Sequence, residues 1–189
     1  ERMLAAFEYS NPDKIPVLYK PCAAGLYVHR QKFVDLMHEL PPDNPLSIDG
    51  LPEPSPECVD ADGLYRERKY DEWGTLWEYT IFGITGHPAG YPFGSWAAAG
   101  EYNFPPVPEP GQLAYAGQKA DKKNYLIFCG WHSLFEKLHA LRPIEELFMA
   151  LIDEDADLLN LMDRLTDYHA RLIDVEIKAG ADVIMFGDD

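Results

Sequence analysis

Residues 155–186 restrict this chain to few folds. The stretch "DADLLNLMDRLTDYHARLIDVEIKAG" carries apolar side chains at 158, 161, 162, 165, 168, 172, 175 and 179, the spacing of one helix face. Gly180 then stands where a helix C-cap is wanted. Shortly after it, Val183, Ile184, Met185 and Phe186 form a continuous apolar run, which suits a strand buried on both faces of a parallel sheet. A helix that feeds into such a strand is one arm of a crossover, and parallel crossovers are right-handed. Gly187 releases the backbone, and Asp188 and Asp189 follow at the strand's carboxyl end, where parallel sheets place their working groups.

The rest of the chain extends the pattern on both sides of an irregular middle. Residues 2–8 read as a short helix that stops at the turn signal "NPDK". "IPVLY" (15–19) reads as a first buried strand and "HRQKFVDLMHEL" (29–40) as a helix, with "LSID" (46–49) as a short second strand. Residues 51–111 are rich in Pro, Gly and aromatics. Within them "GLYRERKYDEWGTLWEYT" (63–80) predicts an antiparallel hairpin turning at 71–74, followed by ordered loop. "NYLIFCGW" (124–131) reads as a third buried strand. "PIEELFMALI" (143–152) reads as a helix that opens with Pro and acids, as the helix dipole favours. Strands alternating with helices predict an α/β fold with four parallel, adjacent strands and the hairpin outside them.

Composition narrows the function classes. The chain has 189 residues, enough for one sizeable core, and is 47% hydrophobic and 25% charged. A net charge of -16 with no basic stripe argues against a nucleic-acid partner. No apolar run approaches the roughly 18 residues of a membrane span, so no membrane partner is expected. "ERMLAAFEYS" lacks the layout of a signal peptide. Three widely spaced cysteines, Cys22, Cys58 and Cys129, suit a reducing, cytoplasmic setting. Without an initiator Met, the chain is expected to start upstream.

Several stretches together resemble the uroporphyrinogen decarboxylase superfamily. "RMLAAFEYSNPDKIPV" is similar to its opening helix and first barrel strand. "YDEWGTLWEYT" resembles the hairpin of its methyltransferase-like branch. "LHALRPIEELFMALIDEDADLLNLMDRLTDYH" followed by "GADVIMFGDD" resembles the approach to the fourth strand. The likeness runs over nearly the whole chain; "DEWGTLW" and "GADVIMFGDD" are its most specific parts. It implies a TIM-type (β/α)₈ barrel, of which residues 1–189 form a single domain covering about strands 1–4, with 51–111 inserted. It also implies that the barrel's C-terminal half follows Asp189, so that the isolated chain is inactive. The chain would then be no stable monomer, pairing with that half or with its own copy.

The superfamily holds two chemistries. One is cofactor-free decarboxylation of uroporphyrinogen III in tetrapyrrole biosynthesis. The other is corrinoid-linked methyl transfer to a thiol or other small acceptor, in some members with zinc. An octacarboxylate substrate calls for bidentate arginines near the first strand's end. Here that stretch is "LYKPCAAGLYVHR", with Lys20 alone until Arg30. The methyltransferase-like branch is therefore the favoured expectation, acting on a small-molecule substrate. Decarboxylation and a non-catalytic, self-associating half-barrel remain the alternatives.

Candidate catalytic residues are Asp188, Asp189 and His132, all at strand ends. The aspartates can orient substrate or take a proton, or one can cap a helix. Tyr19, Lys20 and Trp131 are candidates for substrate binding. Cys129 and His132 stand at a zinc-ligand spacing, but two ligands make no site, and no metal or corrinoid is expected on this chain alone. Cys129 is expected as a buried small residue, His169 as packing, and Asp71, Glu72 and Trp73 as turn chemistry.

Overall fold

The computed structural model describes residues 1–44, 48–113 and 125–188. These form a mixed α/β structure with two small sheets and, among the described residues, no closed barrel. The helices are α1 (Arg2–Phe7), α2 (Ala23–His29), α3 (Gln31–Glu39), α4 (Phe135–Leu141), α5 (Ile144–Ile152) and α6 (Ala156–Ala179). The strands are β1 (Glu67–Tyr70), β2 (Leu76–Tyr79), β3 (His87–Gly90), β4 (Phe128–His132) and β5 (Val183–Phe186). One sheet has the order β1-β2-β3; the other is the pair β4-β5. No helix among the described residues is long and apolar enough to cross a membrane.

The described residues gather into two compact units. One holds 1–44, 48–69, 77–87 and 125–126; the other holds 70–76, 88–113 and 127–188. In the first, Arg2 grips the Asp13 carboxylate through two hydrogen bonds of 2.6 and 2.7 Å and also reaches Asp43. The expected strand at 15–19 is absent from both sheets. Its backbone bonds to the 43–44 turn instead. The Val17 amide donates to the Asp43 carboxylate at 2.9 Å, the Val17 carbonyl accepts from the Asp43 amide, and the Tyr19 amide donates to Asn44 Oδ1. Ile15 is left 84% exposed. Of the expected strand at 46–49, residues 46 and 47 lie outside the described residues, and 48–49 have no strand geometry. The expected helix 29–40 forms as α3, which starts at Gln31 because Arg30, with a φ of 52°, cannot be helical. Before it stands α2, a helix the sequence did not predict, capped by the Cys22 thiol accepting from the Gly25 amide.

The second unit holds the main core. Trp73, Phe93, Trp96, Leu138, Leu141, Leu147, Leu158, Leu161, Leu165 and Tyr168 form one buried cluster. The sequence stripe of α6 supplies four of them: Leu158, Leu161, Leu165 and Tyr168 face inward, as their spacing predicts. The hairpin turn supplies Trp73. Asp71 accepts the amides of Trp73 and Thr75, each at 2.9 Å, and its own amide donates to the Thr75 carbonyl. Only five residues connect β1 to β2, too few for a parallel crossover, so the expected antiparallel hairpin stands.

β4 and β5 pair in parallel, with Phe128 opposite Val183, Cys129 opposite Ile184 and His132 opposite Phe186. The connection runs through α4, α5 and α6, and α6 packs on β4. This is the crossover read from 155–186, with the Gly180 cap in left-handed geometry. The sheet is smaller than expected: among the described residues one parallel pair replaces four adjacent parallel strands. Val183, Ile184 and Met185 are half-buried and Phe186 is exposed, where the apolar run predicted burial on both faces.

Candidate functional site

The carboxyl ends of β4 and β5 meet the middle of α6 at a group of buried polar side chains. The register breaks between Cys129 and His132, and Gly130 there has a φ of +63°. A Cβ on Gly130 would stand 2.3 Å from His132 Nε2. Glycine thus serves both the irregular backbone and the room for the imidazole. So placed, His132 is 4% exposed and turns toward α6. Its Nε2 lies 2.7 Å from Glu176 Oε2, and its Nδ1 lies 3.1 Å from His169 Nδ1. The two imidazole rings stand edge to face, with 5.2 Å between centroids.

His169 and Glu176 sit seven residues apart on α6, two turns along one face. They are 9% and 5% exposed. A carboxyl group buried this deeply requires a hydrogen-bond partner, and His132 is it. The second ring nitrogen of His169, Nε2, is buried without any hydrogen-bond partner. Burial pushes the His169 pKa below its ordinary value. The neighbouring His132 and Lys137 lower it further, against smaller opposing effects of Asp188 and Glu176. His169 is therefore neutral at pH 7.

Asp188 closes the other side. Its carboxylate accepts from the Ser133 hydroxyl and from the amides of Leu134, Phe135 and Glu136, at 3.1, 3.0 and 3.3 Å. Burial alone would raise its pKa, but these hydrogen bonds outweigh it and hold the carboxyl below the usual range. Asp188 thus ties the end of β5 to the first amides of α4. This is a capping role, exercised on the helix after β4 rather than on a following one. Asp189 lies outside the described residues.

Between these groups is a cavity of about 260 Å³, lined by His132, His169, Asp188 and Thr166 on its polar side and by Leu134, Ala170, Ile173 and Phe186 on its apolar side. Two of the sequence-derived candidates, His132 and Asp188, therefore meet. Trp131 does not join them. One step along the strand from His132, it is 71% exposed, its indole lying against Gly187, where a Cβ would meet Cζ2 at 2.3 Å. Tyr19 and Lys20 belong to the other compact unit and line an apolar hollow of about 330 Å³ with Phe33, Leu36, Met37 and Leu40.

The zinc-spaced pair Cys129 and His132 does not fit a metal. Both His132 nitrogens face protein partners, and the Cys129 thiol donates to the Val183 carbonyl at 3.5 Å. No cluster of three metal-ligating side chains occurs among the described residues.

Glu176 is a member of the site that the sequence reading passed over, and His169 is one that it read as packing. The signal was a Glu and a His at 176 and 169 on the inward stripe defined by 165, 172 and 179. Comparisons with protein-family models, with curated proteins and with solved structures return no match.

Proposed function

We propose that this chain is the N-terminal portion of a uroporphyrinogen decarboxylase-like barrel enzyme of the methyltransferase-like branch. In this reading it moves a methyl group between a corrinoid, as donor substrate, and a small thiol or similar acceptor. The carrying observation is the β4–β5 pair: parallel strands, a helical crossover covering one face, and Trp131 standing free on the strand beside buried His132. In a (β/α)₈ barrel the helices cover one face of each strand and the other lines the barrel, with the site at the carboxyl ends. Trp131, at such an end, is the side chain this chain offers to a bound substrate. The scarcity of Arg near residues 15–30 favours this branch over decarboxylation of a polyanionic tetrapyrrole. The partner completing the barrel is the C-terminal half or a second copy of the chain.

The test uses the full-length protein with methylcobalamin and a panel of small thiols, and uroporphyrinogen in parallel. Thiol-dependent demethylation of the corrinoid is the expected result. Carboxylate loss from uroporphyrinogen without methyl transfer would replace this reading with the decarboxylase. Neither activity, in a self-associating protein, would leave the non-catalytic half-barrel.

A further inference from the structure

The arginines of this chain sort into two groups. Arg2, Arg30, Arg66, Arg68 and Arg142 each pair with a carboxylate. Arg164 and Arg171 pair with none among the described residues, although acids outnumber Lys and Arg by 32 to 16. A guanidinium stays charged at any working pH, so both charges are fixed. Arg164 and Arg171 stand seven residues apart on α6, two turns along one face. Together they line one groove of about 860 Å³, between α6 and the segment 103–107. All of it belongs to the second compact unit.

The two side chains are placed differently. Arg164 Nη1 donates to the Ala99 carbonyl at 2.7 Å and Nη2 to the Tyr102 carbonyl at 2.5 Å, with the guanidinium 4.9 Å from the centre of the Phe104 ring. It holds the loop and leaves its charge at the groove. Arg171 is exposed, and its Nε donates to the Asp167 carbonyl one turn back at 3.4 Å. Its two Nη groups have no partner among the described residues. They form the fork that matches a planar carboxylate. Asp167 lines the same groove, at a helical ion-pair spacing from Arg171, yet the two side chains form no ion pair. Two positive charges and one negative leave a surplus that a single negative charge cancels.

The opposite wall adds no competing donor. Pro105 and Pro106 have no N–H, and the Asn103 amide turns to the Glu101 carbonyl at 3.4 Å. Phe104 and Val107 pack on the core, and Phe104 stands edge to face with Tyr168, 5.6 Å between ring centroids. These walls suit an apolar, flat body, and the volume lies in the range of small-molecule sites.

We propose that this groove binds a small monocarboxylate with an apolar, ring-bearing body, its carboxylate in the fork of Arg171 and its body against Phe104 and Val107. Arg164 supplies the second positive charge, and Asp167 disfavours dianions. The site uses neither His132 nor Trp131, and it stands whether or not the methyltransferase reading does.

Naphthylacetate is the probe, with naphthylacetamide as its uncharged isostere and naphthyl phosphate as the dianion. In calorimetry on the full-length protein, the acetate should bind about tenfold more tightly than the amide, the scale of a charge-assisted bidentate contact, and more tightly than the phosphate. Arg171→Gln should bind acid and amide alike. Because Arg171 is exposed, its thermal melt should match the wild type. Arg171→Lys keeps the charge without the fork and should retain only part of the preference. Asp167→Asn should bind the phosphate more tightly than the wild type does. Equal affinity for acetate and amide in the wild type overturns the proposal, as does no binding of either in the millimolar range. An acid preference that survives Arg171→Gln, or tighter binding of the phosphate than of the acetate by the wild type, overturns it too.

Discussion

Asp188 and Glu176 carry the two clearest residue-scale expectations. Asp188→Asn removes a charge that caps α4, and at pH 7 it should cost about 1 kcal/mol in a urea melt, a modest figure because the side chain is exposed. The folded pKa lies below the unfolded one, so the stabilisation is present above the ordinary carboxyl range and vanishes as pH falls through the folded value. The gap between variant and wild type should therefore close in strong acid; a gap unchanged at low pH would refute the cap. Glu176→Ala leaves the buried His132 Nε2 without its hydrogen-bond partner and should cost about 1–3 kcal/mol, against a smaller loss for Glu176→Gln, which keeps a hydrogen-bonding group there. Equal losses in the two variants would mean that packing, not the hydrogen bond, is what Glu176 supplies. These residues also show what the sequence could convey. Position at a strand end found His132 and Asp188 but could not separate capping from chemistry. That distinction depends on which amides the carboxylate meets, and they lie on a helix more than fifty residues earlier. Glu176 was legible in principle, as a charge on an inward stripe.

At the scale of elements, β4 depends on Gly130. The residue has positive φ, and any Cβ would strike the His132 ring. Gly130→Ala should therefore destabilise by more than the roughly 1 kcal/mol of backbone strain alone and should displace the imidazole from Glu176. A thermal melt and the His132 ring resonances report the two effects separately, and an unshifted resonance would sink the steric account. The helices with long periodicity, α5 and α6, formed where 3.6-residue spacing and caps predicted them. The hairpin followed from its aromatic and β-branched bursts and from Asp71. The segment 15–19 shows the limit of a short apolar run. A strand needs a partner, and the partner is a non-local fact. Asp43 and Asn44 take the hydrogen bonds that a ladder would have used.

For the whole molecule, the exposed apolar side chains matter more than any one contact. Trp131, Phe186, Met149 and Ile152 are each more than 60% exposed within the second unit. At about 1.5–3 kcal/mol per side chain left in water, four of them forgo on the order of 10 kcal/mol, comparable to a domain's whole stability. A charge of -16 opposes association at low salt but is screened over about 8 Å at physiological ionic strength, so the apolar gain prevails at close contact. Residues 1–189 expressed alone should therefore run in light scattering as a dimer or larger species at micromolar concentration. Trp131→Ala should weaken that association about tenfold or more, the mark of an aromatic anchor at an interface centre. In the half-barrel reading these side chains find their partners in a second half or a second copy. A monomer with a single cooperative melt would overturn that reading.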